Sequence, residues 1–247
     1  MNNSLVQYPS IKSFDPDSWD QKAAELVHHQ VESVVRRRGQ CNIFLTGGSA
    51  AKRMYAAWSR ECDIFTLKNV SFYFGDERCV LPDHPESNYG MAMNTLFKSG
   101  LPQGCAMHRM EAESDDLEEA AERYAAILPR SIDILLLGVG EDGHIASLFP
   151  FSAALHENRR RVLPIIGPKR PNRRLTITPP VILQAHSTVV LAGGAVKAAV
   201  LTEALRMPNN IDALPARLVL RGTWLLDTPV NDLNMSITNR NATCPRH

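Results

Sequence analysis

The stretch Ile132-Asp133-Ile134-Leu135-Leu136-Leu137, followed by Gly138-Val139-Gly140-Glu141-Asp142-Gly143-His144, decides the fold. The first part is almost wholly apolar and too short for a typical helix, the pattern of a strand covered on both faces inside a parallel sheet. Upstream, Ser114 to Leu128 is rich in Ala and Glu and places Leu117, Ala121, Tyr124 and Leu128 at helical spacing, with Pro129 ending it. Further back, Cys41 to Leu45 reads as a strand, Thr46-Gly47-Gly48-Ser49 as a glycine turn and Ala50 to Trp58 as a helix. Asp15-Pro16-Asp17 supplies capping residues for a helix whose apolar face carries Trp19, Ala23, Leu26, Val27, Val31, Val34 and Val35 before Gly39 closes it. Val70 to Phe74 predicts another strand and Asn88 to Phe97 another helix. Downstream, strands are expected at Arg161 to Ile166, Arg174 to Thr178, Thr188 to Leu191 and Trp224 to Leu226, with helices at Ala195 to Leu205 and near Ala216 to Leu220. This alternation predicts one α/β domain over residues 1–247: a doubly wound, mainly parallel sheet with helices on both faces, whose ligands gather beyond the C-terminal strand ends.

Composition excludes several function classes. With 27 Lys and Arg against 26 Asp and Glu, the formal charge is +1, which gives no electrostatic case for general affinity to nucleic acid or anionic membrane. The basic cluster Lys169, Arg170, Arg173 and Arg174, with Arg159 to Arg161 upstream, has the composition of a solvated loop face as much as of a binding surface. Five cysteines without C-x-x-C spacing argue against a disulfide framework and a structural zinc site, and they suit a reducing compartment. Met1 to Ser10 has no secretory pattern and no apolar run reaches membrane-spanning length, so a cytoplasmic location is expected.

Three loops carry the chemistry, and all follow expected strands, so they open on one sheet edge. Thr46-Gly47-Gly48-Ser49 leaves backbone N–H groups free at a helix start, which suits a phosphate or carboxylate, although the same glycine pair also makes a plain tight turn. It has neither P-loop nor dinucleotide-binding spacing. Gly75-Asp76-Glu77-Arg78 brings two carboxylates and a guanidinium to a strand end, either as a loop salt bridge or as a polar cluster at the site. In the third loop Asp142 and His144 supply a carboxylate and the side chain best suited to proton transfer near neutral pH.

Six blocks extend this reading: Leu45 to Ser49, Phe74 to Arg78, Ser87-Asn88-Tyr89-Gly90, Asp142-Gly143-His144-Ile145-Ala146-Ser147-Leu148-Phe149-Pro150, Arg174-Leu175-Thr176-Ile177-Thr178 and Gly193 to Ala198. In order and spacing they resemble the 6-phosphogluconolactonases of the glucosamine-6-phosphate isomerase/6-phosphogluconolactonase family. The resemblance implies the isomerase-type, Rossmann-like fold, hydrolysis of 6-phosphogluconolactone in the oxidative pentose phosphate pathway, and no metal or organic cofactor. It makes His144 the general base and gives the phosphate to Gly47, Gly48, Ser49, Arg174 and Lys197. Asp142 would orient the imidazole, Asp76 and Arg78 would belong to the catalytic cluster, and Arg78 or amides of Gly140 to Gly143 would face the developing oxyanion. Asn172 and Arg173 depart from the prolines common in that loop.

The isomerases carry a glutamate five residues after the histidine, where this chain has Phe149. A non-catalytic sugar-phosphate sensor is the other alternative; the stretches before Cys41 and after Trp224 are short for the DNA-binding module such regulators carry. The expected partner is a small sugar-phosphate lactone, without nucleic acid or membrane, for a monomer or small homo-oligomer. Cys79, beside Arg78, is either a reactive thiol or a small buried residue.

Overall fold

The structure, a computed structural model, describes residues 9–206 and 210–228. In chain order it contains β1 (Ser10–Ser13), α1 (Trp19–Arg38), β2 (Cys41–Leu45), α2 (Ser49–Glu61), β3 (Val70–Phe74), β4 (Asp76–Arg78), α3 (Asn88–Thr95) and β5 (Ala106–Met107). Then follow α4 (Leu117–Ile127), β6 (Ile132–Gly138), β7 (Val162–Ile166), β8 (Arg173–Ile177), α5 (Pro179–Leu183), β9 (Ala185–Ala192), α6 (Ala195–Arg206) and β10 (Thr223–Leu226). Seven strands form one parallel sheet in the order β1-β10-β9-β6-β2-β3-β5.

The apolar run of β6 sits between β2 and β9, with Ile134 opposite both Ile43 and Ser187. Alternation sends its side chains to opposite faces. Ile134 and Leu136 join Ile43, Leu45, Phe72 and Phe74 under α1, α2 and α3, while Leu135 and Leu137 join Phe44, Tyr73 and Trp224 under α4, α6 and a second sheet. Each of these four β6 side chains is buried, contributing about 1.5–3 kcal/mol relative to exposure. Asp133, the polar break in the run, is also buried: it accepts from the Asn42 amide at 2.8 Å and pairs with Arg38 at the end of α1. The one charge in the strand therefore fastens the N-terminal edge of the sheet.

Several sequence expectations shift in detail. The strands at Val162–Ile166 and Arg173–Ile177 form, but in a separate antiparallel three-stranded sheet, β4-β8-β7, in which β8 pairs with β4 on one side and β7 on the other. Asp76–Arg78, read as loop because of its charge, is a strand of that sheet. Gly75 joins the two sheets: its N–H donates to Leu45 O at 3.0 Å and its carbonyl accepts from Ile177 N at 2.9 Å. Asp15 turns the chain by accepting from the Asp17 amide, but Ser18 occupies the N-cap of α1 and makes no side-chain capping bond. The segment near Ala216 is one short 3-10 helix, Pro215–Val219. Among the described residues no helix is long and apolar enough to cross a membrane.

Strand order fixes the place of a ligand site. From β2 the chain runs outward to β3 and β5, whereas from β6 it runs the opposite way to β9 and β10. The crevice between the C-terminal ends of β2 and β6 is thus the topological switch point, where open α/β sheets bind ligands.

On the opposite side of α2 from its glycine turn, Trp58 Nε1 donates to His28 Nδ1 at 3.1 Å, joining α2 to α1. Burial pushes the His28 imidazole below its ordinary pKa of 6.5, against the opposing charge of Glu32. The unfolded chain therefore takes up this proton first, and stability should fall as pH drops below the unfolded value toward the folded one. Urea titrations at mildly acidic and neutral pH should show a smaller loss in His28→Gln, whose carboxamide oxygen still accepts from Trp58; an equal loss in both proteins would contradict this assignment.

Candidate active site

A cleft of about 420 Å³ opens at the switch point. Its floor is stitched by Thr46, whose hydroxyl accepts from the Gly138 amide at 3.1 Å and whose own N–H and carbonyl are both held by the Tyr55 hydroxyl at 2.9 Å. The turn after β2 is thereby fixed to the loop after β6. Gly48 caps α2 at φ 94°, a left-handed conformation that disfavours other residues, and no side chain caps the helix. A Cβ on Gly47 would run into the Asn88 carboxamide, 2.6 Å from its Cγ. The Gly47-Gly48-Ser49 backbone thus lines the cleft at a helix start, with its amides suited to an anion.

The loop after β6 presents His144. Its Nδ1 lies 2.5 Å from Asp142 Oδ1, while Asp142 Oδ2 lies 3.3 Å from Lys169 Nζ. Burial alone would raise the Asp142 carboxyl; the hydrogen bond and charge of His144, together with Lys169, overcome it and hold the carboxyl well below the usual carboxylate range. With Nδ1 engaged, Nε2 is the nitrogen left for a ligand. The imidazole also packs on Phe149, with ring centroids 4.7 Å apart and an interplanar angle of 38°. Gly140 lies against the pair: a Cβ there would overlap His144 Nδ1 and fall 2.5 Å from Asp142 Oδ1. Glycine at position 140 is a requirement of space for this pair.

The second wall comes from β4 and β8. Asp76 is buried and accepts from Ser147 Oγ at 2.6 Å and Asn88 Nδ2 at 3.2 Å, with Arg174 3.9 Å away. Glu77 points its carboxylate at the start of α3, accepting from Asn88 N and Tyr89 N at 2.8 Å each and from Ser87 Oγ at 3.1 Å. It serves that helix start, and it does not line the cleft. Arg78 donates to Glu86 O at 2.6 Å, while its buried Nε has no protein partner.

Arg174 is more constrained than a simple phosphate ligand. Its Nε donates to Pro171 O at 2.9 Å, one terminal nitrogen to Lys169 O and the other to Ser147 Oγ, both at 3.4 Å, and its Cζ lies 5.6 Å from the Phe149 ring centre. A guanidinium has five N–H donors, so two remain for the cleft. Lys197, in the first turn of α6, lines the opposite side; burial lowers its ammonium, opposed by Glu141 and Asp227.

Gly47, Gly48, Ser49, Asp76, Arg78, His144, Arg174 and Lys197 therefore all border one cleft, and Asp142 stands behind His144. Three participants were not singled out from sequence. Lys169 was hidden in a basic run, while Ser147 and Asn88 are small polar residues whose partner, Asp76, is distant in the chain. Cys79 is not an activated thiol, because burial pushes it up to about 11.

Gly140→Ala should part His144 from Asp142 while leaving the sheets intact. Histidine NMR would then lose the signature of the Nδ1 to carboxylate hydrogen bond with an unchanged far-UV circular dichroism spectrum; its retention would contradict the steric account.

Comparisons with known proteins identify the family. The family model described as glucosamine-6-phosphate isomerases/6-phosphogluconolactonase matches residues 15–226. A 6-phosphogluconolactonase from Synechocystis is 34% identical over 221 residues, covering 84% of this chain and 90% of its own length. A 6-phosphogluconolactonase from Rattus norvegicus is 35% identical over 229 residues, covering 86% and 88%. Among solved structures, the 6-phosphogluconolactonase from Trypanosoma brucei superposes with a TM-score of 0.77 at 27% identity, over 91% of this chain and 98% of that one. That from Shewanella baltica gives 0.78 at 25% identity, over 90% and 98%. With a family match over nearly all its described residues and its glycine turns, acid-base pair and basic side chains gathered at one strand edge, the chain belongs to the glucosamine-6-phosphate isomerase/6-phosphogluconolactonase family.

Proposed function

We propose that the protein hydrolyses 6-phospho-D-glucono-1,5-lactone to 6-phosphogluconate, the activity for which its curated relatives are named. The observation that carries this reading is the His144–Asp142 pair, at 2.5 Å, facing a cleft that also holds an uncapped helix start and Lys197. His144 Nε2 takes a proton from water as the water oxygen bonds to the lactone carbonyl carbon. The carbonyl electron pair moves to its oxygen, and Asp142 stabilises the imidazolium. When the tetrahedral intermediate collapses, the bond from that carbon to the ring oxygen breaks and the imidazolium protonates the ring oxygen. The carboxylic acid product releases its proton to solvent.

The negative oxygen of the intermediate needs a donor. Arg78 suits this role, because it borders the cleft and its buried Nε is unpaired within the protein. One well-placed donor contributes about 3 kcal/mol. The substrate phosphate lies remote from the reacting carbon, so its binding by the Gly47-Gly48-Ser49 backbone, Lys197 and the two remaining Arg174 donors supplies alignment. This assigns no step to a metal or organic cofactor. The partner is a free small molecule, met in the cytoplasm by a monomer or small homo-oligomer.

Phe149 separates this reading from deamination and isomerisation of an amino sugar phosphate. Those reactions call for a second titratable group near the histidine, and Phe149, 3% exposed, fills the space beside His144 with an apolar ring.

His144→Ala should lower kcat by roughly 10²- to 10⁴-fold with KM little changed. Lys197→Ala should mainly raise KM. Both are read in a lactonase assay on freshly generated substrate with spontaneous hydrolysis subtracted. Near-normal turnover in His144→Ala would remove the assigned base, and wild-type protein with no excess over background would favour a sensor.

A further inference from the structure

We propose that Lys169 is a positioning residue that acts on His144 through Asp142, sharing with the imidazole the carboxylate that orients it. The proposal rests on the lactonase reading above and on His144 as its base.

Lys169 lies at the tip of the hairpin between β7 and β8, far in sequence from the pair it touches. Its backbone is anchored, because the buried Arg174 guanidinium donates to Lys169 O at 3.4 Å and to Pro171 O at 2.9 Å. From there the side chain reaches the cleft, with Nζ 3.3 Å from Asp142 Oδ2. The other oxygen, Oδ1, faces His144 Nδ1 at 2.5 Å. One carboxylate is thus shared by a fixed cation and by the imidazole.

The physical consequence follows from sign. An unshielded carboxylate against an imidazole favours the imidazolium, which cannot accept a proton from water. A cation on the opposite oxygen competes for that carboxylate and also repels an imidazolium, so both effects oppose charging of the ring. The other charged groups around His144 have partners of their own. Arg174 faces Asp76, Arg78 lies 3.7 Å from Glu86, and Lys197 feels Glu141 and Asp227. Among the described residues, Lys169 is the cation that contacts Asp142 within ion-pair distance.

The half-exposed ammonium tempers the size of the effect, since solvent and salt screen exposed pairs. A charge series tests it: log kcat/KM against pH for wild type, Lys169→Arg, Lys169→Met and Lys169→Glu, over about pH 5 to 7.5, the interval in which histidine titrates. In low salt the acid limb should move to higher pH by about half a unit in Lys169→Met and further in Lys169→Glu, stay near wild type in Lys169→Arg, and shift less at high salt. A loss of packing alone would not order the variants by charge. If Lys169→Met raises KM and leaves the limb in place, Lys169 is a direct phosphate ligand and the proposal is overturned. A wild-type profile with no acid limb would instead overturn His144 as base, and this proposal with it; a limb present in wild type but unmoved across the series overturns Lys169 alone.

Discussion

The carboxylate of Asp76 is the point at which four distant pieces of chain meet. It belongs to β4, accepts from Asn88 on α3 and from Ser147 just beyond His144, and faces Arg174 on β8. Asp76 and Arg174 are both buried, so either one alone would be an uncompensated charge costing several kcal/mol. The four segments must therefore arrive together. That requirement seats the small sheet against the C-terminal edge of the large one, and the resulting gap is the cleft. Arg174 then passes the constraint outward by holding the carbonyls of Lys169 and Pro171, so the hairpin tip is fixed by the same buried charge that fixes the wall.

Charge is distributed in the cleft in a way that net composition conceals. A chain of formal charge +1 places Arg78, Lys169, Arg174 and Lys197 around one opening. They come from β4, the β7–β8 hairpin, β8 and α6, so the basic run at 169–174 supplies only Lys169 and Arg174, and the other two cations lie far from it in sequence. Each also has an acidic neighbour: Glu86, Asp142 and Asp76 for the first three, and Glu141 with Asp227 for Lys197. Those neighbours hold the cations in place without a ligand. Under the proposed reading, a phosphate would gain most from the uncapped helix start at Gly48, the remaining donors of Arg174, and Lys197, whose ammonium burial disfavours despite Glu141 and Asp227.

What sequence could reveal divides along the line between local and distant causes. The strand from Ile132 to Leu137 was legible because burial on two faces needs only an apolar run, with Gly138, read as the start of the loop, completing it, and α1 because Gly39 ends it. The His144–Asp142 pair was legible because its partners are two residues apart. Asp76 to Arg78 was read as loop because three charges in a row contradict a buried strand on any local rule; its partners Asn88, Ser147 and Arg174 lie 12, 71 and 98 residues away. The same holds for the strands at 162–166 and 173–177: their strand character was visible, but their pairing with each other and, through β8, with β4, instead of with β6 or β9, was not. Two short elements, β5 and α5, are formed by tertiary packing and have too few residues to show any period.

Phe149 illustrates how one apolar side chain can select a reaction. Its ring packs against both the imidazole of His144 and the guanidinium of Arg174, and the backbone of Gly167 approaches so closely that a Cβ there would meet the ring. A carboxylate in this enclosed position would be flanked by Arg174 and His144, and it would create a second acid-base group beside the first. With phenylalanine there, the proposed mechanism has His144 accept a proton and return it in succession. Lactone hydrolysis needs only that sequence, because the proton removed from water is the one the ring oxygen requires when its bond to the carbonyl carbon breaks. Opening the ring of an amino sugar and moving its carbonyl along the chain needs proton transfers at separate atoms, which one imidazole held by Asp142 and packed against a phenyl ring is poorly placed to serve.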